Sequence, residues 1–231
     1  MKDIRVVGFD ADDTLWKFED YYRDTEKEFA RLLGEYGEEE QVLEALFDTE
    51  MSNLELYGYG VKPFMISMIE TAIHISENTI NPGILSKILE MGRDMLKAPV
   101  VLLPEVKNVL DELHGKYKLI VATKGDLLDQ EGKLKRSSLS TYFHHIEVMS
   151  DKTRSSYEEL LRHLEIEPCQ FVMIGNSLRS DILPPYELGC YAIYVPYEKT
   201  WQHEMDVEEI AEDERYYKVR ELNEILNIIP H

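Results

Sequence analysis

The sequence predicts an α/β protein: a doubly wound parallel sheet whose first strand is followed by an inserted bundle of α-helices. Three observations lead there. Residues 4–9 form a short apolar run that ends in Asp10-Ala11-Asp12-Asp13-Thr14, as a buried parallel strand ends in a loop. Residues 18–98 carry helical patterning and few strand signals. From Pro99 onward, short apolar runs alternate with helical stretches, the order of βα units around a parallel sheet.

In chain order, the periodicity predicts helices over 21–34, 39–56, 63–76 and 84–96, and four helices in succession read as a bundle. Their breaks, at 34–37, Gly58-Tyr59-Gly60 and 78–83, are rich in residues that relieve backbone strain. Residues 100–103 lead as a strand into Pro104, suited to a first helical position, and Val106, Val109, Leu110 and Leu113 recur at helical spacing. A strand over 119–122 ends at Thr123, then come a helix over 127–134 and a strand over 146–149. Ser155 and Ser156 are placed to cap a helix bearing Tyr157, Leu160, Leu161 and Leu164. A strand over 171–174, a helix over 181–188 and a strand over 191–195 complete the pattern. Within that last helix the second residue of Pro184-Pro185 should remove a helical hydrogen bond. The expected division is a core of 1–17 and 99–231 with a helical insert of 18–98. Ligands of such sheets bind beyond the carboxyl ends of the strands, where Asp10, Thr123 and Gly175 all fall.

Composition narrows the function. The chain has 231 residues, 44% apolar content and a formal charge of −20. That charge repels a phosphate backbone, and no basic cluster with interleaved aromatics offsets it, so nucleic acid is excluded as a partner. The acidic runs at 38–40 and 208–214 read as solvated faces. No signal-peptide pattern opens the sequence and no apolar stretch reaches membrane-spanning length, so no membrane and a cytoplasmic location are expected. Cys169 and Cys190 lack metal-ligand spacing and are expected to pack in the core. His144-His145 suggest no metal site, because neighbouring strand residues point to opposite faces.

Three carboxylates within four residues are costly at a strand end unless a cation or a shared proton relieves them, which marks the turn at Asp10 as the expected active site. Together with Thr123, Lys152 and Gly175-Asn176-Ser177-Leu178-Arg179-Ser180-Asp181, it resembles the four ordered motifs of the haloacid dehalogenase-like hydrolase superfamily. The resemblance spans the core, residues 1–18 and 99–195, and implies a Rossmann-like fold.

By that resemblance Asp10 is a nucleophile that forms an aspartyl-phosphate; as a carboxylate it needs no prior deprotonation. Asp12 would act as general acid/base, Thr123 would donate its hydroxyl to a phosphoryl oxygen, and Lys152 would balance the charge of Asp10 and the phosphoryl group. Gly125 lets backbone approach the anion, and Lys124 adds charge. The resemblance implies Mg²⁺ held by Asp10, Asp181, the Asp12 carbonyl and Asn176. Many relatives carry an aspartate where Asn176 offers a neutral amide, so Asn176 either ligates directly or holds a water.

An insert directly after the first motif resembles the superfamily's C1 cap, which closes over the site and selects substrates. Within it, Tyr57-Gly58-Tyr59-Gly60-Val61-Lys62-Pro63-Phe64 is the expected specificity segment, with Tyr59 and Lys62 as substrate contacts. Trp16 is placed at the cap entrance or against the cap, Arg179 reads as a surface residue or a partner of Asp181 or Asp10, and His203 as a structural or exposed residue or one at the pocket rim. Asp13 is the spare acid, capping or solvated, and Thr14 steadies the turn. The expected function is a Mg²⁺-dependent phosphatase of a small phosphorylated metabolite, working as a monomer or weak dimer. Alternatives are a phosphomutase or phosphonatase relative, or a catalytically silent phosphate-binding module. Asp12 argues against a dehalogenase, since dehalogenase relatives lack that acid.

Overall fold

The computed structural model describes residues 1, 3–199, 201–204, 211 and 213–229. In it β1 (Val6–Phe9) is the central strand of a six-stranded parallel sheet. β2 (Trp16–Lys17) follows the aspartate turn. Next come α1 (Glu19–Leu32), α2 (Glu39–Tyr57), α3 (Val61–Ile75) and α4 (Pro82–Lys97). The remaining elements are β3 (Val101–Leu102), α5 (Val106–Leu113), β4 (Lys118–Lys124), α6 (Leu127–Arg136), β5 (His145–Met149), α7 (Arg154–Leu164), β6 (Phe171–Gly175), α8 (Leu183–Glu187), β7 (Tyr191–Tyr194) and β8 (Tyr216–Lys218).

The chain forms two compact units: Met1–Glu19, Val100–Lys124 and Gln130–His231, and separately Asp20–Pro99 with Gly125–Asp129. The second unit thus takes in a five-residue segment that the sequence places in the core. In the first unit the sheet order is β5-β4-β1-β6-β7-β8. Register sets Phe9 opposite Val121 on one side and Ile174 on the other, which brings Asp10, Thr123 and Asn176 to one end of the sheet. β1, the middle of β4 and β6 are buried throughout, as their unbroken apolar runs require. One face packs on Tyr157, Leu160 and Leu161 of α7.

Several expectations are corrected. Residues 101–102 do not join the parallel sheet but pair antiparallel with Trp16–Lys17. Thr153, rather than Ser155 or Ser156, caps α7 by accepting from the Ser156 N–H at 3.3 Å. β8 has no counterpart among the elements the sequence predicts. Cys190 is buried as expected, but Cys169 is exposed. Much of the 208–214 run lies outside the described residues.

The expected helix over 181–188 is instead a π-helical turn, Leu178–Ile182, running into the short α8. Pro184 and Pro185 bring no N–H to the Ser180 carbonyl. The buried Tyr157 hydroxyl donates to it at 3.0 Å instead, so the group orphaned by the prolines is satisfied from the neighbouring helix.

In the helical unit, Phe29, Val42, Leu46, Phe64, Met68, Ala72, Ile88 and Met91 are buried, the apolar stripes of four amphipathic helices. A hydroxyl and amide seam joins α2 to α3: Thr71 Oγ1 donates to Thr49 Oγ1 at 3.1 Å, and Asn53 Nδ2 to Glu70 Oε2 at 2.7 Å. Asn81 caps α4 through the Gly83 N–H at 2.8 Å, with Pro82 in the first turn. Among the described residues no helix is long and apolar enough to cross a membrane.

Candidate active site

Asp10 follows β1 directly, and its N–H donates to the Ile174 carbonyl at 2.8 Å, which ties the turn to β6. Its carboxylate is buried. Burial pushes its pKa up, the Lys152 ammonium pulls it back, and the result lies at about 7. Lys152, itself 3% exposed, donates to Asp10 Oδ1 at 2.5 Å and to Asp181 Oδ1 at 2.6 Å. A lysine so deeply buried stays charged only because two carboxylates flank it, and they hold its pKa above the usual value.

Asp181 uses its other oxygen to accept the Ser177 N–H at 3.0 Å. This packing explains Gly175: a Cβ there would lie 2.3 Å from the Asp181 carboxyl, so only glycine lets β6 end against it. The Thr14 hydroxyl donates to Asn176 Oδ1 at 3.1 Å; with the amide swapped, its nitrogen would stand 3.3 Å from both Asp10 Oδ2 and the Asp12 carbonyl.

Those contacts test the site for Mg²⁺. Asp10 Oδ2, not taken by Lys152, the Asp12 carbonyl and the Asn176 side chain converge on one position. With its amide oxygen turned inward, Asn176 completes a set of three oxygens there. Among the described residues no three His, Cys, Asp or Glu side chains form a metal cage. An all-oxygen set of one or two carboxylates, a carbonyl and an amide is nevertheless what Mg²⁺ accepts when substrate and water complete its shell. The donor set fits.

Asp12 is held from several sides. Trp16 Nε1 donates to its Oδ1 at 2.7 Å, Gln130 Nε2 to its Oδ2 at 2.8 Å, and Lys133 Nζ to both oxygens at 3.0 Å. Trp16 is buried and serves Asp12 in the core unit, a role the sequence did not suggest. Asp13 is not solvated: it is buried, accepts the Phe18 and Glu19 N–H groups ahead of α1 at 2.9 and 3.0 Å, and is pushed by burial to about 8. Thr14 does steady the turn, through Asn176.

A family model described as haloacid dehalogenase-like hydrolase matches residues 4–184. The chain belongs to the haloacid dehalogenase-like hydrolases. A solved hydrolase of this family from Xanthomonas campestris is 38% identical, with a TM-score of 0.84 over 96% of this chain and 88% of that one. The N-acylneuraminate-9-phosphatase of Mus musculus is 24% identical across 78% of this chain and 77% of its own length. The glyceraldehyde 3-phosphate phosphatase of Methanothermobacter thermautotrophicus is 33% identical across 42% of this chain and 46% of its own. The putative HAD-hydrolase YfnB from Bacillus subtilis, solved bound to magnesium, shares the fold at 17% identity, 98% and 99% coverage and a TM-score of 0.67.

On this haloacid dehalogenase-like core the structure gathers Asp10, Asp12, Trp16, Thr123, Lys124, Lys152, Asn176 and Asp181. Tyr59, Lys62 and Gly125 belong to the helical unit. There Lys62 is paired with Asp126 at 2.7 Å, and its ammonium holds the Asp126 carboxyl below the usual range. Lys124 is likewise engaged: Nζ contacts Glu204 Oε1 at 2.5 Å and Ser180 Oγ at 2.9 Å. Glu204 also accepts from the Ser177 and Ser180 hydroxyls. Burial pushes Glu204 up, but Lys124 and these donors more than offset it and leave the carboxyl at about 2. Arg179 donates to the His203 carbonyl at 3.3 Å.

Gln130, Lys133, Ser177, Ser180 and Glu204 were missed in the sequence. Gln130 and Lys133 stand three residues apart on α6, a spacing that shares a helix face. However, Lys133 begins a Lys-Leu-Lys-Arg run that reads as solvated, and the structure leaves only 2% of it exposed.

Proposed function

We propose that the protein is a Mg²⁺-dependent phosphatase that hydrolyses a small phosphorylated metabolite through an aspartyl-phosphate on Asp10. One observation carries the proposal: a buried carboxylate at the end of the central strand, with one oxygen on the Lys152 ammonium and the other facing Asn176 and the Asp12 carbonyl. A nucleophile held this way has its charge balanced on one side while a lone pair stays aimed at the site. The phosphatases among the curated relatives support the substrate class.

In the first step an Asp10 oxygen bonds to phosphorus while the bond from phosphorus to the alcohol oxygen breaks. The electron pair leaves with that oxygen, which takes a proton from Asp12. In the second, water attacks the same phosphorus and gives its proton to Asp12, and the bond to Asp10 breaks to restore the carboxylate. Lys152 and the Thr123 hydroxyl stabilise charge on the phosphoryl oxygens. Asp10, Asn176 and the Asp12 carbonyl would hold the cation, whose chemistry when bound is to neutralise those oxygens; Asp181, expected as a ligand too, instead has its oxygens on Lys152 and the Ser177 N–H. The inserted helical unit, with Tyr59, Lys62 and Gly125, is assigned the choice of substrate.

The test is p-nitrophenyl phosphate turnover with Mg²⁺ and with a chelator, in the native protein and in Asp10→Asn. Turnover that needs Mg²⁺ and falls by about 10³-fold or more in the variant is expected, in line with loss of a covalent nucleophile. Full activity in Asp10→Asn, or no metal-dependent turnover, rejects the phosphatase and leaves a silent phosphate-binding module. A panel of phosphorylated metabolites then identifies the substrate.

A further inference from the structure

The geometry points to a transition-metal site formed by His144 and His145, at the end of the sheet opposite Asp10. His145 opens β5 beside Ile120 of β4, whereas Lys124, at the other end of β4, lies beside Met149. His144 stands just before the strand, so the alternation that sends neighbouring strand side chains to opposite faces does not reach it. The expectation that this pair forms no metal site is thereby corrected: the two Nδ1 atoms face each other 3.1 Å apart. None of the residues around Asp10 takes part, so the site stands or falls apart from the phosphatase reading.

Two imidazole nitrogens 3.1 Å apart, each bound to one ion at about 2.0–2.1 Å, subtend about 95–102° at the metal, between the octahedral and tetrahedral angles. A hydrogen bond across the same gap needs a proton on one Nδ1 and a lone pair on the other. Glu147, two residues along β5 and so on the same face as His145, places Oε2 3.7 Å from His145 Nε2. A carboxylate there favours the tautomer with the proton on Nε2, which leaves His145 Nδ1 as the lone pair and His144 as the donor. For an ion to bind, only the His144 proton moves, from Nδ1 to Nε2 of the same ring; His144 is exposed, so water can carry it. Both lone pairs then face the metal, and no proton is released. The backbone is held as well, since the His144 N–H donates to the Leu119 carbonyl at 2.8 Å. Imidazole pairs suit Zn²⁺, Ni²⁺ and Cu²⁺, whereas Mg²⁺ and Ca²⁺ take oxygen ligands. Among the described residues no third His, Cys, Asp or Glu joins the pair, so water would complete the shell. The Lys118 charge acts on His145 against a cation, but Lys118 is exposed and screened by solvent.

Calorimetric titration with Zn²⁺ tests the site, with excess Mg²⁺ present to compete at any oxygen site. It is run on the native protein, His144→Gln, His145→Gln and Cys169→Ser, the last removing the exposed thiol. The native protein should take up a Zn²⁺ ion that each histidine variant holds about tenfold or more weakly, as loss of one of two ligands requires. Cys169→Ser should bind as the native protein does. Long-range proton–nitrogen spectra of the native imidazoles name the ligating atoms without any variant: Zn²⁺ should shift Nδ1 of both rings more than Nε2. No uptake by the native protein, an affinity unchanged in either histidine variant, a loss in Cys169→Ser, or unshifted Nδ1 signals overturn the assignment.

Discussion

Replacing Glu204 by glutamine removes the anion shared by Lys124, Ser177 and Ser180. In the folded protein that carboxyl lies at about 2, against an ordinary 4.5. A folded value below the unfolded one means that the stabilisation is fully present above the unfolded value and is lost as pH falls through the folded one. A depression of this size corresponds to about 3 kcal/mol at neutral pH. Linkage further predicts that the native protein's margin over Glu204→Gln narrows by about 1.4 kcal/mol on going from about pH 7 to about pH 3.5. Urea unfolding of both proteins at the two pH values measures the margin, provided the slope with urea is the same for both. A margin below about 0.5 kcal/mol at neutral pH, the range of an ordinary surface substitution, would refute the reasoning. So would a margin that does not change with pH.

Two further outcomes follow from the same unit. Tyr157→Phe leaves the Ser180 carbonyl without the donor that replaces the missing proline N–H groups, and should cost about 1–3 kcal/mol in denaturant unfolding. Gly175→Ala forces a methyl to within 2.3 Å of the Asp181 carboxyl. Overpacking of that kind costs about 1–3 kcal/mol, and turnover should fall with stability because Lys152 loses one of its two carboxylates; unaltered turnover would show that Asp181 can shift without consequence.

Much of this was legible in the sequence because the relevant signals are local. The four helices of the insert appear within a few residues of their expected bounds, since their apolar stripes repeat at a helical period over fifteen residues or so. β1, β4 and β6 are equally plain as unbroken apolar runs. What escaped depends on partners far away in the chain. β8 is three residues long and is recognised only by its pairing with β7. Trp16–Lys17 and Val101–Leu102 form a ribbon because they meet each other, which neither stretch announces. The π-helical turn at Leu178–Ile182 arises where Pro184 and Pro185 interrupt the usual bonding. The motifs around Asp10, Thr123 and Asn176 were readable because they sit at strand ends, whereas Lys133, Gln130 and Glu204 belong to polar stretches that look solvated. Burial of a lysine is decided by the acid across from it, and that acid, Asp12, lies more than a hundred residues earlier.

The central place of β1 also bears on the order in which the protein can be assembled. Val7 lies opposite Leu119 and Val172, so the strand that carries Asp10 is synthesised first and acquires its neighbours late. At about 5–20 residues per second, roughly 5–20 s pass between synthesis of β1 and that of β4, and more before β6 appears. During that interval residues 20–99 are synthesised in full, while β1 has no strand to pair with. Asp10 is thus fixed by the last half of the chain. A truncated product ending before β6 carries Asp10 and Asp12 but neither Asn176 nor Asp181, and so lacks two members of the candidate site.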